Sequence, residues 1–338
     1  MSYLLLFFLL LVFSISLGAL KTKKEQPKIL FWLFGILLIA IAGFRDESRF
    51  LDYDEYVDTI INGNDRMELS FQLIVSSVKS LQLPYKIVFL FYAFWGVFLK
   101  MKAISKWSSP IWLSLVVYIA HLFIAEECAA MRVGVATGFL LLALFELCNK
   151  RYLYWLLYTI FAIFFHYSAA FGLLYPLIIR IPVKLKYCLP LLIIAYLMPW
   201  LNISLDTFFS YFDNQLLSYY SHYLQTDEIV SVYNFSQILY CFIALYVIKN
   251  IEEIKAYNQY VGELVLVYLF SLLVLPVFNV VPVFAFRIAH IFACVEIILI
   301  PILIKFLWYK KGYRIFAYLL VAYLFYWCFI TAMGAMTH

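Results

Sequence analysis

Polar positions are sparse along this chain and gather in clusters, and the apolar blocks between them approach the ~20 residues that a helix needs to cross the hydrocarbon core of a bilayer. Dividing the sequence at the charge clusters predicts twelve spans, near 3–20, 29–43, 84–101, 110–126, 129–147, 152–165, 167–181, 187–203, 232–248, 262–281, 285–304 and 314–332. The blocks are continuous rather than alternating, which argues against an outer-membrane barrel, whose strands alternate between lipid and lumen. The fold class predicted is all-α: a polytopic helical membrane protein forming a single integral membrane domain over residues 1–338. The two spans flanking His166 are short enough to form a re-entrant pair instead.

Composition agrees with the pattern. The chain is 66% hydrophobic and 13% charged, against about 45–50% and about 25% in soluble domains. Aromatic residues make up 20%, as suits a protein with rings at two membrane interfaces. The net charge of +5 is scattered through apolar runs rather than gathered on a stripe, so nucleic acid is excluded as a partner. The six cysteines form no CxxC pair and no ligand spacing with histidine, which leaves them as small apolar residues. The first apolar block resembles a signal peptide, but it has no basic segment before it and KTKKEQPK after it. That order predicts a retained helix whose C-terminal end is cytoplasmic.

Lysine and arginine set the orientation. With the N-terminus outside, alternate connections hold 18 of the 25 basic residues, among them Lys21, Lys23, Lys24, Lys100, Lys102, Lys106, Lys310 and Lys311. The positive-inside rule assigns those connections to the cytoplasm. Arg45, Arg49, Arg66, Lys79, Lys86, Arg132 and Arg287 face the other way. Two connections on that outer side, 44–83 and 204–231, are long. The first begins with an acidic, arginine-bearing stretch and continues as LSFQLIVSSVKSLQL, whose helical apolar face predicts a helix lying along the outer surface. The second is aromatic; its Tyr219 and Tyr223 either line a glycan path or belong to an interfacial belt. No cytoplasmic connection is long enough to form a domain, so the chemistry is expected at the outer face.

Four basic residues stand out there. Arg45 follows the second span, with Asp52, Tyr53 and Tyr56 beyond it. It either snorkels and pairs with Asp46 or Glu47, or offers its fork to a phosphate. Arg132 lies just inside the fifth span, on a helix carrying Gly134, Ala136 and Gly138 for close packing; it either pairs with Glu126 or Glu127, or awaits a ligand. His166, in AIFFHYSAAF, is an interfacial histidine or a general base, with Ser168 near enough to orient it. Arg287 and His290 open the eleventh span, with Glu296 deeper on the same predicted helix, either on a proton path or, the preferred reading, as a partner for another helix. Arg45, Arg132, His166 and Arg287 all map to one membrane level, which suits a pyrophosphate at headgroup depth, although independent snorkelling places arginines there too.

These strings resemble a known family. Gly43-Phe-Arg45 followed by Asp52-Tyr53 and Tyr56, then M-R132-V-G-V-A, F-H166-Y-S-A and F-R287-I-A-H, are similar in order and spacing to the EpsG family of Wzy-like polysaccharide polymerases, over most of the chain. The sequence departs from the family pattern at Val133, where glutamine is usual, and at His290, where an aromatic is common. The resemblance implies a GT-C-like glycosyltransferase of the bacterial inner membrane that joins oligosaccharide repeat units carried on undecaprenyl pyrophosphate, for O-antigen, capsule or exopolysaccharide. Both donor and acceptor are lipid-linked glycans, and a chain-length regulator is a possible partner. No cofactor and no metal is implied. Arg132, Arg287 and Arg45 would hold the pyrophosphate and His166, or else Asp52, would take the acceptor proton. Tyr53, Tyr56, Tyr219 and Tyr223 would meet the substrate. The competing readings are a lipid-linked oligosaccharide flippase or other transporter, an O-antigen ligase and a membrane acyltransferase. A transporter would tend to show related halves and polar groups at the midplane, and neither is evident here.

Overall fold

The computed structural model describes residues 12, 14–17, 28–45, 50, 52–63, 67–107, 111–201, 232–279 and 282–334. Helices provide all of its regular structure, and no strand occurs among the described residues. In chain order, α1 (Lys28–Gly43) precedes two helices of the first long connection, α2 (Tyr53–Asn62) and α3 (Leu69–Ser80). Next come α4 (Lys86–Trp107) and α5 (Ile111–Val117), which widens without a break into a π-helix (Tyr118–Ala129). After α6 (Met131–Cys148) and α7 (Tyr152–Phe165), a 3₁₀ stretch (Tyr167–Leu174) leads to α8 (Leu185–Leu197). The remaining helices are α9 (Phe235–Lys249), α10 (Val261–Val277), α11 (Pro282–Ala293), α12 (Glu296–Tyr309) and α13 (Arg314–Gly334).

Three helices are long and apolar enough to cross a bilayer: Lys86–Trp107, Ile111–Ala129 and Met131–Cys148. The pair Phe284–Ala293 and Glu296–Tyr309, bent by 51°, adds a fourth if taken as one span. Seven further apolar helices run to 10–17 residues. The chain is thus a helical membrane protein, with fewer full-length crossings among the described residues than the twelve apolar blocks suggested. The reasons are local. The expected span 285–304 is broken before Glu296, so Arg287 and Glu296 sit on different helices rather than on one. The expected span 167–181 is a 3₁₀ stretch followed by a single α turn, and a 3₁₀ helix has poorer hydrogen-bond geometry and stays short. Most of the expected first span and all of 204–231, including Tyr219 and Tyr223, lie outside the described residues.

The chain groups into two compact units, Met1–Leu173 with Glu296–His338, and Leu174–Val295. In the first, α4 packs along α1 and α6, α6 along α7, and α12 against α5 and α13. The α4–α6 approach depends on Gly138, where an added Cβ would lie 2.7 Å from the Leu99 Cβ. Gly134 and Gly138 form the small-xxx-small stripe that lets membrane helices come close. In the second unit α10 packs against α8, α9 and α11. There Val232, Leu275 and Ala285 are buried together, with Tyr196, Phe278 and Ala289 against them.

Inside the first unit lies a charge cluster that corrects the expected placement of Lys100 in a cytoplasmic connection. Lys100 is no connection residue: it lies within α4, wholly buried, with its Nζ 2.6 Å from Glu126 Oε2, 2.7 Å from the Gly134 carbonyl and in contact with Glu127 Oε1. Thr137 donates to Glu126 at 2.7 Å. The π-helix sets both carboxylates on this face, and Gly96 and Gly134 leave the space: a Cβ on either would stand 3.1 or 3.2 Å from Glu127 Oε1. Charges at this depth persist only when paired and hydrogen-bonded. Glu296 is likewise a pairing partner, with His121 Nδ1 2.7 Å from its Oε2.

Candidate functional site

A second polar group forms at the ends of these helices, from residues distant in the chain. Glu68 stands at the N-cap position of α3 but makes no side-chain cap bond to that helix. Its two carboxylate oxygens are used elsewhere. Arg132, the second residue of α6, donates from Nη1 to Glu68 Oε2, and His166 Nδ1 lies 2.8 Å from Glu68 Oε1. Arg132 Nε also donates to the Tyr56 hydroxyl at 3.3 Å, and its guanidinium lies 5.4 Å from the centre of that ring. Tyr56 is buried on α2 and packs on Phe71 of α3 and Phe89 of α4.

His166 takes extended backbone (φ −156°, ψ 120°) between α7 and the 3₁₀ stretch. Its main chain is held at both sides, by its N–H to the Ala162 carbonyl at 2.9 Å and by the Ala169 N–H to its own carbonyl at 2.9 Å. The neighbouring Phe165 is locked between Tyr92 and Phe139. His166 itself is only 9% exposed. Its Nε2 is buried and has no hydrogen-bond partner among the described residues.

The electrostatics fix the proton on this imidazole. Burial pushes the Glu68 carboxyl up, but the hydrogen bond from His166 and the charge of Arg132 outweigh it and hold the group down at about 2. Stability gained this way is complete above the ordinary carboxylate range and is lost only as the pH falls towards that value. At neutral pH Glu68 is therefore acceptor only, so Nδ1 must donate and a neutral imidazole presents its lone pair at Nε2. Burial raises the Tyr56 phenol, although Arg132 opposes it, so that group stays a neutral hydroxyl.

Of the residues singled out in the sequence, the structure brings Tyr56, Arg132 and His166 together, and adds Glu68. Arg132 pairs with Glu68 and not with Glu126 or Glu127, which hold Lys100. Glu68, and not Ser168, orients His166. Arg45 is buried at the end of α1, donating from Nη1 to the Ala42 carbonyl at 2.8 Å, with its guanidinium 4.5 Å from the Phe89 ring centre and 5.6 Å from that of Tyr53. Its Nη1 also points to the Glu127 carbonyl at 3.5 Å, so its charge meets the carbonyl ends of two helices, α1 and the π-helix, where the macrodipole favours a cation. Burial lowers the pKa of this guanidinium from its usual value. The proposed partners Asp46 and Glu47 lie outside the described residues. Tyr53 stacks on Phe89 at 4.7 Å. Asp52 is exposed ahead of α2 in left-handed backbone (φ 66°). Arg287 is exposed on α11 in the second unit, beside Phe286, whose ring stacks on His290 at 6.0 Å. Glu68 escaped the sequence reading because nothing in NDRMELSF distinguishes it from a capping acid at a helix start.

The EpsG family profile matches residues 28–337. The chain belongs to the EpsG family. Comparison with curated proteins and with solved structures gave no match. Membership of the EpsG family carries the general reading of a membrane-bound polysaccharide polymerase of glycosyltransferase type.

Proposed function

We propose that this EpsG-family protein polymerises undecaprenyl-pyrophosphate-linked oligosaccharide repeat units at the outer face of the bacterial cytoplasmic membrane, as one integral domain with about twelve membrane segments in a GT-C-like arrangement. The observation that carries this reading is the buried His166 Nε2, unpartnered among the described residues, on an imidazole oriented by a carboxylate and set beside the Arg132 guanidinium. Glycosyl transfer from a lipid pyrophosphate needs those two elements. A base takes the proton of the acceptor hydroxyl as its oxygen attacks the anomeric carbon, and fixed positive charge stabilises the pyrophosphate as the bond to the sugar breaks. His166 is the base, with Asp52 the other candidate. Arg132 supplies positive charge beside His166, and Tyr219 and Tyr223 meet the sugars. The lipid-linked glycans of a deletion strain test the function. Single repeat units on carrier lipid at the outer leaflet are the expected result, and units confined to the cytoplasmic leaflet would instead make the protein a flippase.

Two narrower outcomes follow. Arg132→Lys keeps the charge but gives up the planar fork that serves Glu68 and Tyr56 at once. Losing one hydrogen bond of a charged group costs about 1.5–3 kcal/mol, so polymerisation by the variant is expected to slow roughly 10- to 100-fold. Full activity at normal protein level would remove Arg132 from the site. The exposed Asp58 on α2 reports the orientation. Asp58→Cys is expected to react with an impermeant thiol reagent in intact spheroplasts, and protection until lysis would invert the topology.

A further inference from the structure

Both side-chain oxygens of Glu68 are already engaged by other members of the site. One goes to Arg132 and one to His166. The three side chains are not equally open. The Arg132 side chain is 22% exposed, that of His166 11% and that of Glu68 5%. The cation is therefore the member an incoming anion reaches first, while the carboxylate stays behind it. In the resting protein two of the cation's five N–H donors already go to Glu68 and to the Tyr56 hydroxyl. The other titratable groups around the pair are Tyr56 on α2, Asp52 ahead of it and Tyr92 on α4. Among the described residues Arg132 is the one permanent cation acting on Glu68.

We propose that Glu68 is a positioning residue shared between the anion site and the base: in the resting protein it divides its charge between Arg132 and His166, and a pyrophosphate that takes Arg132 leaves Glu68 to His166 alone. This rests on the polymerase reading and deepens it. The physical consequence is a coupling between the two halves of the reaction. With Arg132 seated on Glu68, the carboxylate is already neutralised, and an imidazolium beside the pair gains little from it. When the fork turns to phosphoryl oxygens, which it binds bidentately, the carboxylate faces the imidazole without a competitor and stabilises the proton that His166 accepts. The base is thereby strengthened once a donor is in place, and less so in its absence. Coupling of this kind is reciprocal: whatever pyrophosphate does for proton uptake at His166, the proton must do for pyrophosphate binding.

The test uses the full chain in nanodiscs, with inorganic pyrophosphate as the probe and calorimetry as the readout. Glu68→Gln frees Arg132 from its carboxylate, so pyrophosphate is expected to bind roughly tenfold tighter, within the range usual for coupled sites. The same variant loses the charge that orients and supports the base, so polymerisation is expected to fall by about 100-fold or more, as when the carboxylate of a carboxylate–histidine pair becomes an amide. Glu68→Asp keeps the charge and is expected to recover part of the rate. A purely structural Glu68 cannot give tighter anion binding together with slower turnover. Unchanged or weaker binding in Glu68→Gln, or wild-type turnover, would overturn the proposal. Should Glu68→Gln not fold, the wild type decides by comparison with His166→Gln. As the pH falls from 8 to 6, pyrophosphate affinity is expected to rise about fivefold more in the wild type than in His166→Gln. That difference cancels the titration of pyrophosphate itself. No excess in the wild type sinks the coupling. None of the binding arms requires polymer to form, so the polymerase reading fails separately, on the glycans of the deletion strain.

Discussion

His166→Ala is expected to abolish polymer formation while single lipid-linked repeat units accumulate and the protein still inserts into the membrane. The expected loss is about 10²–10⁴-fold, the range contributed by a positioned general base. The structure makes the prediction specific. Glu68 holds Nδ1, the main chain is fixed on both sides of the ring, and the atom left over, Nε2, is buried without a partner among the described residues. Asp52→Asn is expected to cost much less, because Asp52 is exposed ahead of α2 and an amide keeps part of a positioning role. Glycan profiles of a deletion strain complemented with each variant separate the two. Full polymer from His166→Ala combined with loss in Asp52→Asn would transfer the role to Asp52.

The largest effect on stability is expected at Lys100. Replacing it with alanine leaves Glu126 and Glu127 facing each other without a cation, at a position where the side chains of all three residues have no exposure. Removing one partner of a buried charge group costs about 3–5 kcal/mol, since the remaining charge is stranded. Lys100→Ala is therefore expected to fail to accumulate, or to melt well below the wild type in detergent. The combination Lys100→Met, Glu126→Gln and Glu127→Gln removes the charges together and is expected to regain most of the loss, because a buried ion group and its neutral replacement are often close in stability. A melting temperature for Lys100→Ala equal to that of the wild type would show that the three residues do not act as one charge group.

That the chain is helical and membrane-bound is legible in its sequence, because long apolar blocks with no period-2 alternation allow few other structures in lipid. The sequence also placed the break between the fourth and fifth spans at 127–128, within a few residues of the observed break at Ala130, and the turn at His166 where it occurs. The close-packing role of Gly134 and Gly138 was legible as well, since small residues four apart on a membrane helix have few other uses. Arg132 was legible as a charge that is costly near lipid, and His166 as a candidate base at the outward turn. The pairing of the charges was not legible there, because it depends on which helices meet. A lysine near the end of an apolar run reads the same whether it reaches the cytoplasm or turns inward; the π-helix and the room beside Gly96 and Gly134 send Lys100 inward, to Glu126 and Glu127. Once those two carboxylates are taken, Arg132 has to find its counter-charge elsewhere. It finds Glu68, which lies 64 residues before it and looks in the sequence like an ordinary helix-start acid. Local pattern records how much a residue costs in a membrane, while the identity of the partner that offsets the cost depends on which helices come into contact.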